Sequence, residues 1–335
     1  MDPSALQDKT FRRAFGLSLE CAIAWGVRAL LTTPTLLGAM MIRFSKMQGA
    51  GNDFVVIDAI GQAIDVEQVD WRQVADRHFG VGADQVLVVQ RPQDPGNDFR
   101  YRIFNADGAE VEQCGNGARC FVRFVHEQGL SAKRKIAVET LAGLIEPELL
   151  DDGMVMVNMG RPDFHTRDLG FVDWQQARAR GQADIDDGIE RIQLASPAPE
   201  YLPSLELDLM SMGNPHAVLF LDAPPNDDLV EHLGPFICTH PIFPKQVNVG
   251  FAYLASPNQL QLRVFERGAG ETLACGTGAC AAAVLALARN KAREGLQVQA
   301  RGGNLWVEWA GGQSPVMMTG PAHTVFEGLI VLPTR

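Results

Sequence analysis

Positive charge is scarce in this 335-residue chain: 29 lysines and arginines face 40 aspartates and glutamates, for a formal net charge of −11, and no basic cluster breaks the pattern. Nucleic-acid backbones and anionic membrane surfaces are held by concentrated lysine and arginine. Neither is therefore an expected partner, and a small molecule is. A cysteine framework is missing too. Six cysteines without a repeating short spacing do not build a secreted disulfide scaffold, and a reducing cytoplasm is the expected compartment. Metal-ligand spacing is absent: Cys114 and Cys120 are six apart, Cys275 and Cys280 five apart, with no Cys-x2-Cys or histidine pattern, so no metal is expected. No lysine stands in a recognisable phosphate-cup context, which disfavours PLP chemistry. Nor is there an unbroken membrane-length apolar run. "TFRRAFGLSLECAIAWGVRALLTTPTLLGAM" places an Arg pair before an apolar stretch, but Glu20 and Arg28 interrupt it. Residues 1–40 read either as a non-native extension or upstream start, or as a twin-arginine export signal. Met40 and Met41 precede "IRFSKMQGAGNDFVVID", which reads as the true opening strand.

What is present is a repeated motif. In "ETLACGTGACAAAVLALA" (271–288), Cys275 stands before a glycine-broken turn that leads into an alanine-rich helix. "EVEQCGNGARCFVRFV" (110–125) does the same around Cys114. Unpaired N–H groups and the dipole at a helix N-terminus stabilise a thiolate, the reactive form of cysteine. A lone Cys-Gly-x-Gly is more often inert than functional. Here, however, the two cysteines lie 161 residues apart, and the same offset pairs Arg102 with Arg263, Phe104 with Phe265, Asn105 with Glu266 and Glu110 with Glu271. "GNDFVVID" (51–58) matches "GNPHAVLFLD" (213–222) at 162, and the strand containing Gln85 matches "QVNVGFAYL" around Asn248 at 163. A colinear match in four segments implies two copies of one domain.

Hydrophobic residues make up 46% of the chain, enough for two cores. Alternating or β-branched runs predict strands over 54–58, 85–90, 99–105 and 134–140, and again over 204–210, 216–221, 247–254 and 260–266. After Cys114, the stripe Ala118, Phe121, Val122 and Val125 predicts an amphipathic helix with Arg119 and Arg123 turned to solvent. The second helix, Ala279 to Ala288, is apolar all round and is predicted to be buried, with Arg289, Lys291 and Arg293 at its end and Gly295 as its stop. A buried helix in a mostly β domain implies a sheet curled around it. Cys120 and Cys280 read as core residues, and Cys21 and Cys238 have no informative context.

Two thiols on opposite sides of a cleft suit inversion of a stereocentre bearing a C–H bond. One thiolate removes the proton from one face, and a thiol on the other face returns one. The helix N-termini would receive the substrate carboxylate, into which the carbanion charge delocalises. Asn52, Gln85, Asn105, Asn214 and Asn248 could hold amino and carboxylate groups, although each alone is an ordinary turn residue. His216 could equally be a satisfied core histidine, and Glu266 with Arg267 a solvated pair.

"GAGNDFVVID", "FNADGAEVEQCGNGARC", "GNPHAVLFLD" and "ERGAGETLACGTGACAAA" resemble the diaminopimelate epimerases, and the similarity runs from Met41 to the end of the chain. The resemblance implies cofactor-independent interconversion of LL- and meso-2,6-diaminopimelate, in lysine and peptidoglycan-precursor synthesis, with Cys114 and Cys275 as the acid/base pair. It places His216 and Glu266 as assisting residues. It places Asn52, Gln85, Asn105, Asn214, Asn248, Glu266 and Arg267 against substrate, with Gly115-Asn116 and Gly276-Thr277 as helix-terminal amides. It also implies an α/β (α+β) fold of two pseudo-symmetric domains, each a barrel-like sheet around a central helix, and a homodimer. The expected domains are 41–158 plus 322–335, with the C-terminal strand returning to the first, and 159–321. The polar stretch from His165 to Ser204 exceeds the pattern and reads as a surface excursion. Proline racemase and hydroxyproline epimerase relatives are the alternative within the fold, and a thiol-disulfide protein is the alternative outside it.

Overall fold

A computed structural model of the protein describes residues 35–36, 39–62, 64–112, 114–170, 172–186, 188–292 and 295–333. Most of the extension expected over residues 1–40, with Cys21, and Arg293 lie outside the described residues. Five α-helices are described: α1 (Trp71–Ala75), α2 (Gly115–Glu127), α3 (Trp174–Ala179), α4 (Asp227–Cys238) and α5 (Gly276–Ala288). Side-chain oxygens of Asp70, Asp173 and Asn226 cap α1, α3 and α4 by accepting from backbone N–H groups of their first turns. None of the described helices is long and apolar enough to cross a membrane.

The internal repeat is a repeat of topology. In the first sheet Asn52–Asp58 runs parallel to Gln85–Gln90, which pairs antiparallel with Phe99–Asn105; that strand pairs with Glu110–Val111 and, beyond α2, runs parallel to Val138–Thr140. In the second, Pro215–Leu221, Asn248–Ser256, Gln259–Glu266, Gly270–Thr272 and, beyond α5, Leu296–Ala300 repeat the same senses in the same order. The paired charges also recur as geometry. Arg102 Nε and Nη2 each donate to the Glu110 carboxylate at 2.7 Å, and Arg263 does so to Glu271 at 2.6 and 2.8 Å. Each bidentate pair pins the hairpin that delivers its cysteine.

The sheets have nine and twelve strands among the described residues and, as expected of barrel-like sheets, curl around their helices, without closing into barrels. The second sheet touches α5 from strands on seven successive positions, which explains why alanine dominates that helix. Every residue from Gly278 to Ala286 is buried, and only small side chains let a sheet approach from all sides. His323–Pro333 returns to pair along Ala39–Gly49 of the first sheet. One continuous core joins the halves, with Cys120, Phe121 and Val125 of α2 and Cys280, Ala283 and Val284 of α5 in the same cluster.

Several expectations change. The strand predicted over 134–140 forms only as Val138–Thr140. Val155–Asn158, expected with the first half, pairs with Val316–Gly320 in the second sheet. The stretch from His165 to Ser204 is not merely an excursion: it contains α3, and Ala183–Asp186 and Ile189–Ala195 extend the second sheet beside Ser204–Ser211. Alternation supports this from Arg191 on, since Ile192 and Leu194 are buried while Arg191 is half-buried and Gln193 and Ala195 are exposed. Helix α5 stops before Gly295. Asn290, at φ 52°, takes the left-handed position, and Lys291 N donates to Ala286 O at 2.9 Å while Asn290 N donates to Leu287 O at 3.0 Å. On α2, Arg123 is half-buried against Glu127 as expected of a solvated edge, but Arg119 is 0% exposed. The helix turns that face onto the Met318–Pro321 segment, which a helical period cannot reveal.

Overpacking α5 is costly if its sheet is closely fitted. Ala282→Leu is expected to lose about 1–3 kcal/mol of stability, read as a lower urea midpoint; an unchanged midpoint would mean that the surrounding sheet yields.

Candidate active site

Cys114 and Cys275 occupy the same place in the two halves. Each is the residue before the first turn of its helix, with extended backbone at φ −143°, ψ 119° and φ −120°, ψ 114°. The glycine three positions later is closely packed in both. A Cβ at Gly117 would stand 2.5 Å from Tyr101 Oη, and one at Gly278 would stand 3.4 Å from Cys275 Sγ and 3.1 Å from a Val264 methyl. The Cys-Gly-x-Gly pattern thus lets a sulfur lie against the helix end. Cys114 is half-buried and Cys275 is 7% exposed, and both are free thiols.

Burial pushes both thiols above the ordinary cysteine range. For Cys114 this is opposed by the N–H groups of Gly117 and Asn116 and by the Arg119 charge. For Cys275 burial is reinforced by the Glu266 carboxylate and opposed by Thr277 and the Gly278 N–H. Glu266 also raises Cys114, so one carboxylate acts on both sulfurs. Cys120 and Cys280, fully buried and pushed by that burial up to about 12, are the inert core thiols expected.

The other expected residues fall into linked groups. Asn52 Oδ1 lies 3.8 Å from Cys114 Sγ and accepts from Asn116 Nδ2 at 3.4 Å. Asn116 Nδ2 is also 3.5 Å from Ala274 O, so this amide spans from one thiol segment to the other, while its Oδ1 is buried without a partner. Gly115 and Gly276 open the two helices. Thr277 Oγ1 is 3.5 Å from Cys275 Sγ and accepts from Asn214 Nδ2 at 3.1 Å. His216 Nε2 is 3.0 Å from Asn214 Oδ1, and Thr272 Oγ1 donates to Glu266 Oε1 at 2.5 Å. Gln85 Nε2 donates to Asn105 Oδ1 at 2.8 Å, and Asn248 Oδ1 accepts from Arg267 N at 3.0 Å. These last four contact each other in pairs at strand ends and have no hydrogen bond to either thiol. The Arg267 side chain is exposed, with Nη1 donating to Lys245 O at 3.3 Å.

Sequence reasoning passed over the support of Asn52. Asp84 accepts from Asn52 Nδ2 at 2.7 Å, and Arg77 bridges Asp84 and Asp53 at 2.7 and 2.8 Å. Hydrogen bonds from Arg77 and Lys46 hold the Asp53 carboxyl well below the usual range despite its burial. Asp84 directly precedes Gln85, and that adjacency was its only sequence signal.

A sequence model described as Diaminopimelate epimerase matches residues 44–165 and 209–325. The Diaminopimelate epimerase of Aromatoleum aromaticum is 52% identical over 294 residues, covering 87% of this chain and 99% of that one. That of Herminiimonas arsenicoxydans is 51% identical over 300 residues, covering 88% and 100%. The chain belongs to the diaminopimelate epimerase family. Among solved structures, a hydroxyproline epimerase from Agrobacterium vitis shares the fold at TM-score 0.61 and 18% identity, covering 88% of this chain and 93% of its own. A methylitaconate-delta-isomerase does so at 0.52 and 12%, covering 88% and 96%. The diaminopimelate epimerase motifs are thus carried on a scaffold common to more distant isomerases.

His216 is 1% exposed, and burial, then the Arg267 charge, lowers its pKa to about 3. It is neutral at physiological pH and can orient Asn214 without carrying charge. The unfolded chain protonates its histidines near 6.5. Stability from this group is therefore full above about 6.5 and declines as pH falls towards 3, because only the unfolded state takes up the proton there. The His216 ring resonances in NMR are expected to stay in the neutral form down to about pH 4; a midpoint near 6.5 would contradict this burial.

Proposed function

We propose that this chain interconverts LL- and meso-2,6-diaminopimelate without a cofactor, using Cys114 and Cys275 as an acid/base pair, and so serves lysine and peptidoglycan-precursor synthesis. The observation that carries the reading is the matched pair of thiols at two buried helix ends, both within reach of one carboxylate, Glu266. The thiolate of one cysteine takes the α-proton and becomes a thiol. The C–H electron pair passes into the adjacent carboxylate as a planar carbanion, and the thiol of the other cysteine gives its proton to the opposite face. The centre is inverted, and the negative charge has moved from one sulfur to the other.

Burial serves this chemistry, because a thiolate whose pKa is raised is a stronger base towards a weakly acidic C–H bond. The first-turn N–H groups at Gly115-Asn116 and Gly276-Thr277 receive the substrate carboxylate as its charge grows. Glu266 disfavours two simultaneous thiolates and so supports the one-thiol, one-thiolate state, while neutral His216 positions the Asn214 amide. The exposed Arg267 guanidinium and the amides of Asn52, Gln85, Asn105 and Asn248 suit a long substrate with an amino-acid head at each end. This favours diaminopimelate over proline.

Cys114→Ala and Cys275→Ala are each expected to lower turnover by about 10²–10⁴-fold with unchanged circular dichroism; near-normal turnover in either would overturn the two-base mechanism. Incubation in deuterated water under reductant, without cofactor, is expected to place deuterium in LL-diaminopimelate and not in L-proline. Label in proline alone would shift the assignment to a proline-type racemase.

We also propose a cytoplasmic homodimer. The returning strand His323–Pro333 carries Val325, Leu329 and Val331 at 58, 48 and 57% exposure, a stripe suited to a second copy of the chain. Val325→Asp with Val331→Asp is expected to convert a sedimenting dimer to monomer; an unchanged sedimentation coefficient would move the interface elsewhere.

A further inference from the structure

Arg119 is a cation without a counterion. Nε donates to Pro321 O at 3.2 Å, Nη1 lies 3.8 Å from Met318 Sδ, and Nη2 is buried with no partner. Among the described residues no carboxylate pairs with it. The groups that act on its charge are three thiols: Cys120 and Cys114 on its own helix and Cys280 on α5. A guanidinium stays protonated even when buried, and an uncompensated buried charge is among the most destabilising features a core can hold.

Its position indicates which anion compensates it. Arginine side chains on a helix lie back towards its N-terminus. Here the point where a Cβ on Gly49 would sit is 3.3 Å from Arg119 Nη2 and 3.4 Å from Asn116 O, so the guanidinium is level with the first turn of α2. Met318, which it touches, reaches both thiol helices. A Cβ at Gly115 would be 3.0 Å from Met318 Cε, and one at Gly276 would be 3.3 Å from the same methyl. The guanidinium therefore lies, fully buried, beside the point where the two helix ends meet. The repeat makes this a single cation, because the position equivalent to Arg119 at the 161-residue offset is Cys280.

We propose that Arg119 is the buried countercation of the active-site thiolate, acting chiefly on Cys114 from beside the helix ends. The proposal rests on the two-thiol mechanism above. Arg119 does not touch the reacting atoms; it is a positioning charge that complements the single negative charge the cysteine pair carries through turnover. It opposes the burial that raises Cys114. The other groups facing the site act differently: Glu266 raises both thiols, Tyr101 is kept protonated by its own burial, Glu127 faces Cys120, and His216 is neutral.

The test measures iodoacetamide alkylation against pH in Cys275→Ala, which keeps Cys114, and in Cys114→Ala, which keeps Cys275, with the modified residue identified by mass spectrometry. Adding Arg119→Met is expected to move the Cys114 midpoint up by about one pH unit, an alkylation rate about tenfold lower below the midpoint, with a smaller move for Cys275. Arg119→Lys, which keeps the charge, is expected to restore most of the shift. If the Met variant does not fold, Arg119→Gln, which removes the charge but keeps a hydrogen-bonding side chain, carries the test, with the same upward move expected. An unmoved Cys114 midpoint in a folded Arg119→Met or Arg119→Gln protein overturns the proposal. Failure of the two-thiol mechanism is read separately, as turnover surviving in the single cysteine variants with Arg119 intact.

Discussion

Everything in this structure is arranged so that two buried helices present their N-termini to one point. A helix end carries unpaired N–H groups that must be satisfied, and here two such ends are brought together with a thiol on each. Residues of both halves complete the arrangement: Asn116 reaches Ala274 O, and Met318 lies against the first residue of both helices. The curved sheets, the alanines of α5 and the hairpins pinned by Arg102–Glu110 and Arg263–Glu271 are the means by which each helix is aimed.

The electrostatics follow from the same placement. Burial alone would hold both sulfurs protonated. Helix N–H groups and the Arg119 cation favour charge, and Glu266 limits it. These influences are of opposite sign, and their balance suits the proposed pair, in which one proton is kept between two bases. A neutral His216 adds orientation without disturbing that balance.

Much of this was legible in one dimension wherever a single element decided the outcome. The strands 85–90 and 99–105 were predicted with their observed bounds because alternation and β-branched residues act locally. The apolar α5 was read as buried because no face of it could meet water. The matched placement of Cys114 and Cys275 ahead of two helices was legible through duplication, since a matched offset is informative where a single glycine motif is not. Other features depended on partners far along the chain. Arg119 was assigned to solvent because it flanks the apolar stripe, yet the segment around Pro321, some two hundred residues away, encloses it. Asp84 looked like an ordinary loop acid until the fold set it beneath Asn52.

The sequence by itself determined the repeat, the family, the two thiols and the elements that carry them, because periodicity, glycine spacing and internal offset are properties of contiguous residues. Only the tertiary structure decided that the sheets stay open, that the 165–204 stretch adds strands to the second sheet, and that Val155–Asn158 pairs there. It alone decided which groups set the charge at the sulfurs. Those outcomes depend on burial and on distances between residues remote in the chain, and the proximity of Arg119 to Met318 or of Glu266 to both thiols is a property of packing that no local pattern encodes.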